Sequence, residues 1–217
     1  MRIPLTSHGT RELLLYGGGF LAVSLLLGWL IHPLCGLPTI LLFLFVLSFF
    51  RDPERVAPEG PATAVAPADG KVTDIEVVEE ASHIGGPALR IGIFLSVFNV
   101  HVNRAPLDGT IKSVRYFPGK FLDVRNPACK DENEANLIGF DGPRGPFAVR
   151  QVAGLIARRI VFPFKEGDSV TRGQRMGMIK FGSRTELFVP ADAPVEVAVQ
   201  VGDTVNGAET VLLRYKD

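Results

Sequence analysis

The chain opens on a long apolar block and then changes period. Residues 13–50 contain no Asp, Glu, Lys or Arg. As a helix, Leu13–Ile31 would extend about 28 Å, close to the roughly 30 Å hydrocarbon core of a bilayer. Pro33, Gly36 and Pro38 interrupt the run. Ile40–Phe50 then adds only about 16 Å of helix, too short to cross upright. The pattern predicts a hydrophobic helical hairpin over residues 1–50 that spans or re-enters a membrane. Arg2 and Arg11 flank one end and Arg51 and Arg55 the other, which places both ends in the cytoplasm by the positive-inside tendency. The block outruns a signal-peptide core and lacks a convincing cleavage motif, so a retained anchor is expected.

From about Arg51 onward, Gly and Pro punctuate short alternating runs. Val72–Val78, Leu89–Val97, Asn99–Asn103, Thr110–Phe117 and Phe147–Val152 read as strands, as do Ile156–Phe162, Gln174–Phe181, Thr185–Val189, Val195–Val201 and Thr210–Tyr215. No long stretch after Phe50 carries a 3.6-residue apolar period. The expectation is a mainly β fold over residues 51–217, a compact β-barrel or sandwich whose many short strands pair their edges. Gly167-Asp168-Ser169-Val170 recurs as Gly202-Asp203-Thr204-Val205. Each repeat predicts a tight turn that returns a valine to the core, and resembles the hammerhead turns of lipoyl and biotinyl carrier domains. Gly119–Arg144 is the least regular stretch. Its polar run Lys130–Glu134 reads as a solvated loop, or as a flap whose Phe121 and Leu122 touch lipid.

Charge narrows the partners. Acidic and basic residues balance at 23 each, and no basic cluster is interleaved with aromatics, so no nucleic-acid partner is expected. The only cysteines are Cys35 and Cys129, and the four histidines are scattered, which predicts neither a disulfide framework nor a metal site.

The candidate chemistry centres on Gly182–Ser183, where two strand-like runs meet. In a tight bend the serine hydroxyl can reach the glycine carbonyl, which no side chain shields. Attack would convert the amide to an ester, and elimination followed by hydrolysis would leave a pyruvoyl group at position 183. The alternative is an ordinary hairpin turn. In the run Asn99–Asn103, Val100 and Val102 share one strand face while Asn99, His101 and Asn103 share the other. With an ordinary pKa of about 6.5, a neutral imidazole is available as a base near pH 7, although a structural histidine fits as well. Asp69 lies in Ala68-Asp69-Gly70, where a carboxylate could orient that imidazole or cap its own turn.

Four segments occur in order: Phe50-Arg51-Asp52-Pro53, Pro67-Ala68-Asp69-Gly70, Asn99-Val100-His101-Val102-Asn103-Arg104-Ala105-Pro106, and Phe181-Gly182-Ser183-Arg184. Together they resemble the short-form, pyruvoyl-dependent phosphatidylserine decarboxylases over most of the chain. The resemblance implies conversion of phosphatidylserine to phosphatidylethanolamine and carbon dioxide through a Schiff base on a pyruvoyl group made from Ser183. It implies no metal and no external pyridoxal phosphate. Cleavage at Gly182–Ser183 would give a β chain, 1–182, and an α chain, 183–217, that stay together as a heterodimer. It further implies His101 as base or acid and Asp69 as its orienter, with the catalytic domain on the cytoplasmic side of the inner membrane, facing its phospholipid substrate. Longer members carry a second histidine three residues after the first, where this chain has Arg104. Four other readings stay open. One is a non-enzymatic structural membrane protein. A second is an ether-linked serine lipid as substrate. Another is a soluble amino-acid substrate. The last is a membrane-tethered carrier module modified on Lys180, although Met-Gly-Met-Ile-Lys departs from the usual Met-Lys-Met.

Overall fold

The computed structural model describes residues 5–60, 62–122, 128–155, 159–180 and 183–216. The chain divides into two compact units, Met1–Glu54 and Arg55–Asp217.

In the first unit the apolar block forms two helices, α1 (Ser7–Leu30) and α2 (Pro33–Phe49). Among the described residues, α1 is the one helix long and apolar enough to cross a bilayer. It leaves Leu14, Leu25, Trp29 and Leu30 exposed. The second helix is longer than its sequence pattern predicts. Pro33 and Pro38 sit in opening turns, where the missing N–H has no intrahelical partner anyway, so they start helical turns instead of breaking them. The link is tight. Ser24 donates its hydroxyl to the Gly36 carbonyl at 2.8 Å, and a methyl group on Gly36 would meet the Ser24 backbone oxygen at 2.5 Å.

The second unit is built on strands, in keeping with the mainly β expectation. They are β1 (Thr63–Val65), β2 (Gly70–Glu80), β3 (Gly86–Leu95), β4 (Val102–Arg104) and β5 (Gly109–Phe117). A short helix, α3 (Cys129–Glu132), precedes β6 (Ala135–Gly142) and β7 (Gly145–Val152). Then come β8 (Ile160–Val161), β9 (Ser169–Val170), β10 (Arg175–Ile179) and β11 (Ser183–Pro190). The last three are β12 (Val195–Val197), β13 (Thr204–Val205) and β14 (Val211–Tyr215).

Eight strands form one curled sheet in the order β13-β2-β3-β11-β7-β6-β5-β9. Two three-stranded sheets, β1-β14-β12 and β4-β10-β8, complete the unit. All these pairings are antiparallel. Alternation gives the large sheet one apolar face, on which Ile91, Ile93, Leu187, Val149, Ile138 and Phe140 pack as the core. Leu213 and Tyr215 of β14 pack into the same core.

The Gly-Asp-X-Val repeat folds as its pattern predicts. Gly167 and Gly202 have φ of +91° and +101°, a region that favours glycine. Asp168 and Asp203 each accept a backbone N–H three residues upstream, from Lys165 and Gln200, while Val170 and Val205 are buried. The two turns lead into β9 and β13, the outer strands of the large sheet.

Three expected runs differ, one being Val195–Val201, which is strand only over Val195–Val197. Within Gly119–Arg144, residues 129–132 are helical and residues 135–142 form β6, inside the large sheet. Asn99–Asn103 is not a continuous strand. The Asn99 side chain accepts from the Ser96 N–H and hydroxyl at 2.9 and 2.8 Å, and its own N–H donates to the Ser96 carbonyl, which makes a turn. The strand begins only at Val102. Of the runs Ile156–Phe162 and Gln174–Phe181, residues 156–158 and Phe181 lie outside the described residues.

Candidate active site

Ser183 is the first residue of β11 and pairs with Leu95, the last residue of β3. Arg184 pairs with Val152, the last residue of β7. Ser183 therefore sits at one edge of the large sheet, between two strand ends. The strand before it, β10, pairs with β4 and β8 and not with β11. Strands β10 and β11 therefore do not pair as a hairpin. Gly182 itself lies outside the described residues. Ser183 is fully buried, and its hydroxyl has no hydrogen-bond partner among the described residues. Burying a hydroxyl without a partner costs about 1–3 kcal/mol, so ordinary packing avoids it.

His101 is also fully buried. Its carbonyl accepts from Ile179 N–H at the end of β10, which sets it against the segment leading to Ser183. Its Nδ1 lies 3.0 Å from the Asn99 carbonyl. A carbonyl only accepts, so Nδ1 carries the proton and Nε2 holds the lone pair of the neutral ring.

Asp69 is placed differently from its expected role. One oxygen accepts from Arg55 Nη2 at 2.7 Å and the other from the Gly207 N–H at 2.8 Å. No Asp69–His101 hydrogen bond is made among the described residues, and the Asn99 carbonyl occupies the place beside Nδ1. Arg104 is buried and donates to the Gly173 carbonyl at 3.1 Å.

Sequence reasoning did not single out the polar row behind Ser183. On the inner face of the sheet the apolar rows end at Leu187, Val149 and Ile138, and the next cross-strand row is Thr185, Gln151 and Asn136. From β4, Asn103 accepts from Gln151 Nε2 at 2.7 Å and donates to Thr185 Oγ1 at 3.2 Å. Gln151, Asn103 and Thr185 are fully buried, and Gln151 Oε1 has no partner among the described residues. The available signals were a glutamine inside the apolar run Phe147–Val152 and a threonine two residues after Ser183.

On the opposite face, Arg184 is clamped. Asp74, Gly92 and Glu186 are cross-strand neighbours on β2, β3 and β11. A methyl on Gly92 would collide with the Arg184 guanidinium, which lies over this bare position. Arg184 donates to Glu186 at 2.7 Å, Asp74 at 2.7 Å and Thr73 at 2.6 Å. Burial pushes the Asp74 carboxyl up, but Arg184, the Thr73 hydroxyl and Lys130 outweigh it and hold its pKa below the usual value. Burial likewise opposes the Arg184 charge, yet Glu186 and Asp74 keep its pKa above normal. A cavity of about 520 Å³ lies on this outer face, lined by Arg90, Lys130, Arg150, Phe117 and Phe188 among others. It is separated by the sheet from Ser183.

Lys180 is buried and its backbone N–H bonds the Arg159 carbonyl. A carrier lysine must sit exposed at a turn to meet its modifying enzyme, so the carrier reading loses its residue.

Comparison with known proteins identifies the family. The family model described as phosphatidylserine decarboxylase matches residues 42–213. The chain is 47% identical over 211 residues to a phosphatidylserine decarboxylase proenzyme of Carboxydothermus hydrogenoformans, covering 95% of this chain and 99% of that one. It is 42% identical over 217 residues to a proenzyme of the same name from Rhodopirellula baltica, covering 99% of this chain and 89% of that one. The chain belongs to the phosphatidylserine decarboxylase family and is a decarboxylase.

Proposed function

We propose that the chain is a self-processing, pyruvoyl-dependent enzyme that converts phosphatidylserine to phosphatidylethanolamine and carbon dioxide. The observation that carries this reading is the Ser183 hydroxyl, buried and without a hydrogen-bond partner among the described residues. A serine whose oxygen is consumed in an internal reaction has reason to lack a fixed partner. The relatives' name, proenzyme, fits a chain that matures by cleavage.

His101, through Nε2, takes the Ser183 hydroxyl proton. The oxygen attacks the Gly182 carbonyl carbon, the C–N bond breaks, and the amide becomes an ester with the nitrogen protonated. Loss of the Ser183 α-proton then expels the Gly182 carboxylate, which keeps the serine oxygen. The dehydroalanine left at 183 takes up one water and releases ammonia, which completes the pyruvoyl group. Once formed at position 183, that group would supply a ketone for the lipid's serine amine and an electron sink for the pair left behind when carbon dioxide departs. Gln151, Asn103 and Thr185 line the same buried face and are assigned to hold the polar end of the substrate. His101 returns the proton to carbon. Asp69 acts at one remove, tying Arg55 and the Gly207 turn to the start of β2.

The halves 1–182 and 183–217 would remain joined after cleavage. β11 lies between β3 and β7, β13 pairs with β2 and β14 with β1, so three of the four strands of the later half are paired to the earlier one, and β12 is held through β14. The exposed apolar surface of α1 supports membrane attachment, since burying a leucine is worth about 2 kcal/mol. With arginines at both ends of the hairpin, the catalytic unit belongs on the cytoplasmic face.

The test is Ser183→Ala, with cleavage read on a gel and lipid product by chromatography. Neither should occur. Normal two-chain maturation of this variant would overturn the assignment.

A further inference from the structure

The exposed aromatic residues of the catalytic unit gather at one place. Among the described residues of 55–217, the large exposed aromatics are Phe98, Tyr116 and Phe117. Phe98 follows the end of β3. Tyr116 and Phe117 end β5, and Phe117 pairs with Ala135, which pairs in turn with Val152. Leu155, also exposed, follows the end of β7. Register therefore places all four on the sheet edge that carries Ser183, although they lie far apart in sequence. Arg159 and Lys120 are exposed at the same edge. The Arg159 carbonyl accepts from Lys180 N–H, and Lys120, whose ammonium is paired with Glu132 at 2.7 Å, is bridged to Asn133, whose side chain donates to the Ala153 carbonyl.

A cleft of about 200 Å³ opens there, lined by Tyr116, Asn136, Val114, Ile160, Phe162 and Phe164 among others. Asn136 and Tyr116 continue the row of Thr185 and Gln151. Asn136 is two strands from Thr185, about 10 Å at ordinary strand spacing.

We infer that this edge is a lipid-docking surface, on which the catalytic unit rests against a glycerophospholipid bilayer with the cleft as the way in. The inference rests on the proposed lipid substrate. Lifting a two-chain lipid into water costs about 0.8 kcal/mol per CH₂, so the site has to come to the membrane. Aromatic side chains suit the headgroup boundary, and the exposed Arg159 favours an anionic leaflet. The docking residues belong to the catalytic unit and not to α1 or α2.

The experiment uses the full chain with Cys35→Ser, which removes the exposed thiol and leaves the buried Cys129. A polarity-sensitive fluorophore is placed on Tyr116→Cys, Leu155→Cys or, as control, Val77→Cys. Val77 is exposed but lies toward the opposite end of the sheet, paired with Leu89. Proteins are bound to phosphatidylcholine–phosphatidylserine vesicles that carry nitroxide-labelled lipid. Quenching at 116 and 155 but not at 77 is the expected result. No quenching at 116 and 155, or equal quenching at 77, would overturn the inference. So would shielding of 116 and 155 without nitroxide quenching, which would mean a second copy of the chain covers the edge. In a kinetic arm, Leu155→Asp should lower turnover of vesicle substrate about tenfold. Self-cleavage and turnover of a short-chain, monomeric serine phospholipid should be retained. Equal loss on both substrates would count against docking. Cleavage is read in the same samples, so an uncleaved wild type would defeat the proposed function while the quenching result stands by itself.

Discussion

Replacing Arg184 with methionine removes a charge and three donors while keeping a long side chain. Arg184 is almost fully buried and donates to Glu186, Asp74 and Thr73. The change strands Glu186. This residue is fully buried, its Oε2 already lacks a hydrogen bond among the described residues, and its next cations are Arg150 at 3.8 Å and Arg90 at 3.9 Å. Asp74 keeps Thr73, and it has Lys130 and Arg90 at 3.3 Å each. Most of the loss therefore falls on Glu186. Removing one member of a buried ion pair typically costs about 3–5 kcal/mol, against about 0–1 kcal/mol for an exposed pair. The measurement is unfolding free energy by pulse proteolysis in detergent. A Ser183→Ala background keeps the chain uncleaved. Arg184→Met should lose about 3–5 kcal/mol, and adding Glu186→Leu should recover much of it by removing the stranded carboxyl. A loss below about 1 kcal/mol, or a double variant no more stable than the single one, would refute the clamp.

Other outcomes follow from the same geometry. Gly92→Ala should displace the guanidinium and resemble Arg184→Met in stability, although the substitution is small and distant in sequence; wild-type stability would show that the clamp tolerates a methyl. The Asp74 pKa is lowered on folding, so its contribution is present above the unfolded value of about 3.9 and is lost as pH falls through the folded one. Acid unfolding profiles should show this loss, and Asp74→Asn should flatten it; identical profiles would remove Asp74 from the linkage. His101→Ala should slow cleavage of freshly synthesised chain by about 10²-fold or more, the usual worth of a positioned base. Asp69→Asn should act mainly on stability and leave the cleavage rate of folded protein much closer to wild type. A direct Asp69–His101 partnership would instead make the two variants equally slow in a pulse-chase assay.

Parts of this architecture were legible in the sequence. The Gly-Asp-X-Val repeat announced two turns because glycine with positive φ and a capping aspartate are local requirements, met within a few residues. The apolar block announced helices, but Pro33 and Pro38 read as breaks when they are starts, since the distinction depends on where each turn begins. β6 was hidden because Asn136 and Gly139 interrupt its alternation and a charged helical turn precedes it. The charged face of β11 was misleading in another way. Arg184 and Glu186 alternate with Thr185 and Leu187 as a solvated face would, yet Asp74 and Arg90 meet them from other strands and the cluster is buried. Gln151 and Asn103 became meaningful only when register brought them to Thr185. Likewise the partners of Asp69 are distant in sequence, and nothing in Ala68-Asp69-Gly70 names Arg55 or Gly207.

The central claim is that Ser183 becomes an α-keto terminus by rearrangement of its own peptide bond. Intact mass of purified active protein, before and after reaction with a carbonyl-specific hydrazide, tests it most directly. Two chains, 1–182 and 183–217, are predicted, with the smaller one lighter by one ammonia than a serine-headed peptide and the only one to take the label. An active, single, unlabelled polypeptide, or a serine-headed smaller chain in active enzyme, would contradict it.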